Sequence, residues 1–274
     1  MSYSVNTNAG ALVALQNLSM TQAALQKTQN IISTGKTVNT AQDNGAVWSI
    51  ANTMSGRISA LDSVTQSLNR ATSTADVAMS AGQQVSDLLT QLKSKALAAS
   101  DTSLDATSRA SMNQDFKSLL GQITTIINNA SFNGTNILNS TATNIYALAS
   151  DTGTKLTVQA QNLSLGGTIL TIAAAASFAT AAAASAYVTT LNTDITNLNS
   201  ALATIGTGAT AVANQLKFVQ GLQSTLQTGV SNLVDADMAS ESAQLQALQT
   251  KQQLGIQALS IANQSPQIIL SLFK

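Results

Sequence analysis

Apolar residues recur along this chain in steps of four and three. From Val47 the positions Val47, Ala51, Met54, Ile58, Leu61, Thr65, Leu68, Thr72, Ala75 and Met79 follow without a slip. A heptad seam sustained this long predicts helix packed on helix. Past Gly82 the phase shifts, and Val85, Leu88, Leu92 and Leu97 carry the seam toward Ser100. Turn formers at 101–108 end that run, and a third block continues through Met112, Phe116, Leu119, Ile123, Ile126 and Ala130. The longest seam runs Val188, Leu191, Ile195, Leu198, Leu202, Ile205, Ala209, Val212, Leu216, Val219, Gln223, Leu226, Val230, Leu233. As one helix it would span about 70 Å at 1.5 Å per residue. Gly206 and Gly208 weaken it, each by roughly 1 kcal/mol relative to Ala. Seams of this length predict a mainly α fold, an elongated helical bundle or coiled coil.

The middle follows another rule. Asn133-Gly134 after Phe132 is a strong turn signal. Residues 144–148 and 155–159 alternate or are β-branched, with Asp151-Thr152-Gly153-Thr154 suited to the turn of a hairpin. Gly166-Gly167 precedes Thr168-Ile169-Leu170-Thr171-Ile172, another strand candidate. The segment 131–172 therefore reads as a small β-rich element at one end of the bundle. The alanine-rich stretch 173–186 is compatible with helix or loop.

Both ends look helical and carry almost no charge. Residues 1–35 contain one charged side chain, Lys27, and between Glu241 and Lys274 there is only Lys251. Leu18, Leu25 and Ile32 recur at sevens, with Leu12 and Leu15 before them. Near the other end Leu245 and Leu259 share one stripe, Ala247, Leu254, Ile261 and Ile268 a second, and Leu248, Ala262 and Ile269 a third. A helix apolar on several sides is buried on several sides. The two ends can pack on each other as a further layer of the chain's own core, or other copies of the chain can supply the missing partners. Two helices cover only one face of each other, which favours other copies. Pro266 is expected to kink or restart the last helix near Ser265, leaving 268–273 as an apolar tail.

Composition narrows the function. The 274 residues are 44% hydrophobic and only 9% charged, with net charge zero, no histidine and no cysteine. Soluble domains carry about 25% charged residues, so Ser, Thr, Asn, Gln and Ala cover this surface. Without His or Cys there is no Ser-His-Asp or Cys-His nucleophile and no zinc site of the usual ligands. Glu241 is the only glutamate, which leaves carboxylate chemistry to scattered aspartates. No catalytic, cofactor or metal residues can be nominated. A pI near 6.1 without a basic cluster argues against nucleic acid. No apolar run is long enough to insert in a membrane. The first residues lack the charged and apolar regions of a cleaved secretory signal. The composition is that of a structural or binding protein rather than an enzyme.

Several motifs are recognisable. Val5-Asn6-Thr7-Asn8, Ile32-Ser33-Thr34-Gly35-Lys36 and Ala41-Gln42-Asp43-Asn44 resemble the amino-terminal signature of bacterial flagellins, and Phe132-Asn133-Gly134 resembles that family's turn after its second core helix. More specific are Asn232-Leu233-Val234-Asp235-Ala236-Asp237 and the stretch 258–272. The resemblance covers the chain outside about 140–187. It implies a secreted, extracellular subunit that self-assembles into the flagellar filament for swimming motility. Residues 1–40 with 236–274 would form the inner polymerisation domain, and 41–140 with 185–235 the α-helical rod. The short segment 141–184 would be the exposed variable part. Leu12, Leu15, Leu18, Leu25, Ile32, Leu245, Leu248, Leu254, Leu259, Ile261, Ile268 and Ile269 would be its interface with other copies. The partners implied are the chain itself, a flagellin export chaperone, the type III export apparatus, the filament cap and the hook-junction proteins. Ile31 stands where the family usually has Arg, and Lys93-Ser94-Lys95 where many members carry Arg-Glu-Leu, as in short alphaproteobacterial flagellins. A hook–filament junction or adaptor protein is the rival reading, although its larger centre is missing.

Overall fold

Each apolar seam forms a helix. The computed structural model describes the backbone of residues 7–271 and the side chains of residues 7–264. Among the described residues the order is α1 (Ala9–Thr34), α2 (Gly45–Ala99), α3 (Ala106–Asn129), β1 (Ile145–Leu148), β2 (Lys155–Val158), α4 (Ala181–Val234) and α5 (Met238–Ser271). The mainly α class with a small β element is as the sequence predicts. The chain gathers into two compact units, 57–224 and the residues on either side of that span.

In the unit of 57–224, the core runs along α2, α3 and α4. The buried stripe of α2 is Leu61, Val64, Leu68, Ala71, Ala75, Ala78, then Val85, Leu89, Leu92, Ala96 and Ala99. With Gly82 these positions keep alternating steps of three and four throughout, so the seam has no phase shift at Gly82. Met79 and Leu97 are exposed, and Ala78 and Ala96 beside them are buried. The small side chains let helices approach closely. A Cβ at Gly82 would collide with the side chain of Leu202. On α4 the buried positions Ala184, Leu191, Leu198, Ile205, Val212 and Val219 lie seven apart; in the other unit Leu226 keeps the spacing, and Leu233 is exposed beside buried Val234.

The centre contributes to this core instead of hanging from it. Leu163, Leu170, Ile172, Ala176 and Phe178 are all buried. Phe178 meets Phe116 of α3 edge to face, with centroids 5.1 Å apart, and its N–H donates to Asn113 Oδ1 at 2.9 Å. Strands β1 and β2 pair antiparallel, Ile145 opposite Val158 and Leu148 opposite Lys155. Their turn is closed by Ala149 N–H to Thr154 O at 2.7 Å. Asp151 in that turn pairs with Arg57 at 2.8 Å.

Two expectations need correction here. Residues 168–172 are not a strand. They are held against α4 by Asp194, a fully buried carboxylate that accepts Thr171 N–H at 2.8 Å, Thr171 Oγ1 at 2.7 Å and Ile172 N–H at 3.0 Å. A side chain has taken the place of a neighbouring strand as acceptor. The alanine-rich stretch divides, with 173–180 non-helical and α4 beginning at Ala181. In the other unit, α5 runs unbroken through Pro266 to Ser271, so the restart expected near Ser265 does not occur.

Candidate functional site: the paired terminal helices

Helix α1 begins at a cap that the sequence supplies. Asn8 Oδ1 accepts the N–H of Ala11 at 3.1 Å, satisfying one of the free donors of the first turn. The helix ends at Gly35, whose φ of 69° is the left-handed conformation of a helix C-cap. Gly35 N–H donates to Ile31 O at 2.8 Å. The chain then pairs with the approach to α5. Thr37 N–H donates to Val234 O at 2.7 Å and Ala236 N–H to Gly35 O at 2.9 Å, with Lys36 opposite Asp235 in an antiparallel bridge. Asp237 Oδ1 accepts Ala239 N–H at 3.0 Å and so opens α5.

This tie sets the two helices side by side and antiparallel. A Cβ at Gly255 would lie 3.3 Å from Leu18 Cδ1, and Asn8 meets Ala262 further along. The facing stripe of α5 is Leu245, Leu248, Gln252, Gly255, Leu259 and Ala262, all half-buried in steps of three and four. From α1 it meets Ala14, Leu18, Leu25 and Ile32, also half-buried, with Thr21 and Thr28 the only fully buried residues of that helix.

One pairing covers one face. Leu12 and Leu15 remain 61% and 53% exposed, and Leu254 and Ile261 are 59% and 70% exposed. The structure thus divides the predicted interface residues. Leu18, Leu25, Ile32, Leu245, Leu248 and Leu259 are half-buried along the pairing, and Leu12, Leu15, Leu254 and Ile261 stay exposed. Ile268 and Ile269 lie outside the described side chains. Sequence reasoning missed Val13, Met20 and Ile256, which are also more than half exposed. Their signal was present as apolar residues off the heptad stripes of charge-poor helices. Val13, Met20 and Leu254 border a groove of about 780 Å³ between α1 and α5, in which Lys251 is the one charged lining residue.

Among the described residues no three His, Cys, Asp or Glu side chains group to hold a metal. No described helix is long and apolar enough to cross a membrane. What the arrangement can do is adhere. Full burial of a large apolar side chain is worth about 1.5–3 kcal/mol, so covering these exposed side chains would be favourable.

Comparison with known proteins matches the chain on both sides of its centre. Residues 5–143 match the bacterial flagellin N-terminal helical region, and residues 188–273 match the bacterial flagellin C-terminal helical region. A protein named flagellin FljM from Caulobacter vibrioides is 51% identical over 271 residues, covering 99% of this chain and 98% of that protein. A flagellin of Brucella melitensis is 37% identical, covering 99% of each. Among solved structures, Bacillus cereus flagellin has a TM-score of 0.51 at 23% identity, covering 56% of this chain and 88% of that one, which is a likeness of fold.

Proposed function

The chain belongs to the family of bacterial flagellins, and we propose that it polymerises through the outward faces of α1 and α5. As a flagellin it is a structural subunit of the flagellar filament, and the family builds that filament outside the cell. The observation that carries the interface is the row Leu12, Leu15, Leu254 and Ile261, each more than half exposed on helices with almost no charge. Copies of the same chain can cover that row, and burying it repeatedly along a polymer sums small terms into a stable assembly. Residues 1–40 with 236–274 form the polymerising part in this reading. Residues 41–140 with 185–235 form the rod in this reading, and the exposed part of 141–184, including Thr152 and Gly153, is the variable surface.

The chain works without cofactor or catalysis, and its partners before assembly are those of an exported flagellin: a chaperone, the type III apparatus, the cap and the hook-junction proteins. Relatives matched over nearly their whole length are named flagellins, and no observation favours the hook-junction reading. The experiment is truncation. A chain of residues 41–234 should stay soluble and helical by circular dichroism yet fail to polymerise when seeded. Filaments of the truncated chain, seen by electron microscopy, would refute the assignment.

A further inference from the structure

Helix α5 contains a proline well inside its length, and the helix continues past it. Proline has no N–H, so the carbonyl four residues earlier loses its helical donor. For Pro266 that carbonyl belongs to Ala262. The structure supplies a replacement from the other terminal helix, since Asn8 Nδ2 donates to Ala262 O at 2.7 Å. The same amide caps α1 through Oδ1, which accepts Ala11 N–H at 3.1 Å. One side chain therefore closes two defects on two helices, using its acceptor on one and its donor on the other.

We propose that Asn8 is the positioning residue that sets the register of α1 on α5, and that Pro266 creates the vacancy it reads. The faces that meet are repeats of small and apolar residues, including Ala14, Thr21, Thr28, Gly255 and Ala262. On the α1 side such a stripe specifies register weakly, because a slip by one heptad replaces Ala14 with Thr21, Thr21 with Thr28 and Leu18 with Leu25. A carbonyl released at a single point of α5 is unique along the helix, and only one alignment brings it to the start of α1. Of the usual N-cap residues, Asp, Ser and Thr can cap α1, but only Asn also carries an amide to donate.

The inference rests on polymerisation as the function, and the test separates the two. Wild-type polymerisation tests the function, and the variants test Asn8. Full-length chains carrying Asn8→Ser, Asn8→Asp, Pro266→Ala and Asn8→Ser with Pro266→Ala are seeded, and the critical concentration for filament growth is measured. Asn8→Ser should raise it about fivefold, the size of one ordinary hydrogen bond. Asn8→Asp should raise it further, although Asp is as good a cap, because a carboxylate oxygen then faces a carbonyl oxygen. In the Pro266→Ala background, where residue 266 again has an N–H, Asn8→Ser should cost less than twofold. Equal cost in both backgrounds, or Asn8→Asp assembling as well as Asn8→Ser, reduces Asn8 to a cap and overturns the proposal. If Pro266→Ala does not assemble at all, the comparison of Asp with Ser decides.

Discussion

Leu254 offers the most direct measure of the proposed interface. It stands 59% exposed on α5, so a lone chain leaves more than half of its side chain in water. Full burial of leucine is worth about 1.5–3 kcal/mol, and covering the exposed part contributes roughly 1–2 kcal/mol per subunit. Leu254→Ala forfeits most of that. With a factor of ten per 1.4 kcal/mol, the critical concentration should rise about 5- to 30-fold. Leu254→Asp goes further, since an unpaired buried charge costs several kcal/mol, which corresponds to about a hundredfold or more. Lys251 lies one turn away and can offset part of the charge. Ile261 is 70% exposed and has no cation one turn away on α5, so Ile261→Asp should be the more damaging of the two. The subunit itself should be nearly indifferent, because substitutions at exposed positions change stability by about 0.5 kcal/mol or less. The assay is sedimentation of seeded polymer across a concentration series, with circular dichroism of each unassembled variant. Leu254→Ala growing at the wild-type critical concentration would refute the reasoning. So would a loss of subunit helicity that matches the loss of assembly.

Three further outcomes are expected. Asp194→Ala leaves the N–H of Ile172 buried, and that of Thr171 part-buried, without acceptors and should cost about 1–3 kcal/mol in chemical unfolding; a loss well below about 1 kcal/mol would mean that 168–172 is held otherwise. The carboxyl of Asp105 is held below its ordinary range by the backbone N–H of Ser108, and that of Asp43 by the N–H groups of Thr40 and Asn39. Lowered folded values mean that their contribution is present above about pH 4 and is lost as pH falls through them. Hydrogen exchange at the start of α3 and at 39–43 should therefore quicken in acid before that of the core, and equal protection at neutral and strongly acid pH would contradict this. A short tag between Thr152 and Gly153, both exposed, should be accepted and be reachable by antibody along the filament. The same insertion after Gly255 shifts the facing stripe of α5 and should abolish assembly, so filaments from that variant would count against the pairing described.

How the chain is divided into helices was legible because the apolar period was long, and its errors have a common physical source. Large side chains draw the eye, whereas close helix packing selects small ones. The seam in sequence passes through Met79 and Leu97, whereas the helix buries Ala78 and Ala96. The slip at Gly82 disappears once Val64, Ala71 and Ala78 stand in the stripe in place of Thr65, Thr72 and Met79. On α4 the same preference took Ile195 over Asp194, which sits at a heptad position and carries the hydrogen bonds that hold 168–172. A strand reading of that segment then filled the gap, because Thr and Ile alternate there and nothing local reveals an acceptor 22 residues away.

The terminal helices show where local pattern stops being informative. Their low charge and several apolar stripes already require partners on more than one side. The stripes have equal weight in sequence, so which of them meets the neighbouring helix depends on register. Register is set by contacts between residues far apart in the chain. The tie of Thr37 to Val234 spans 197 residues, and that of Asn8 to Ala262 spans 254. Once those contacts place Leu18 against Gly255, the stripe of Leu245, Leu248 and Leu259 must turn inward. Leu254 and Ile261 are then carried outward by the geometry of the helix alone. The face proposed for other copies is thus selected by the pairing of the two ends, which makes the alignment of α1 on α5 a precondition of the proposed interface.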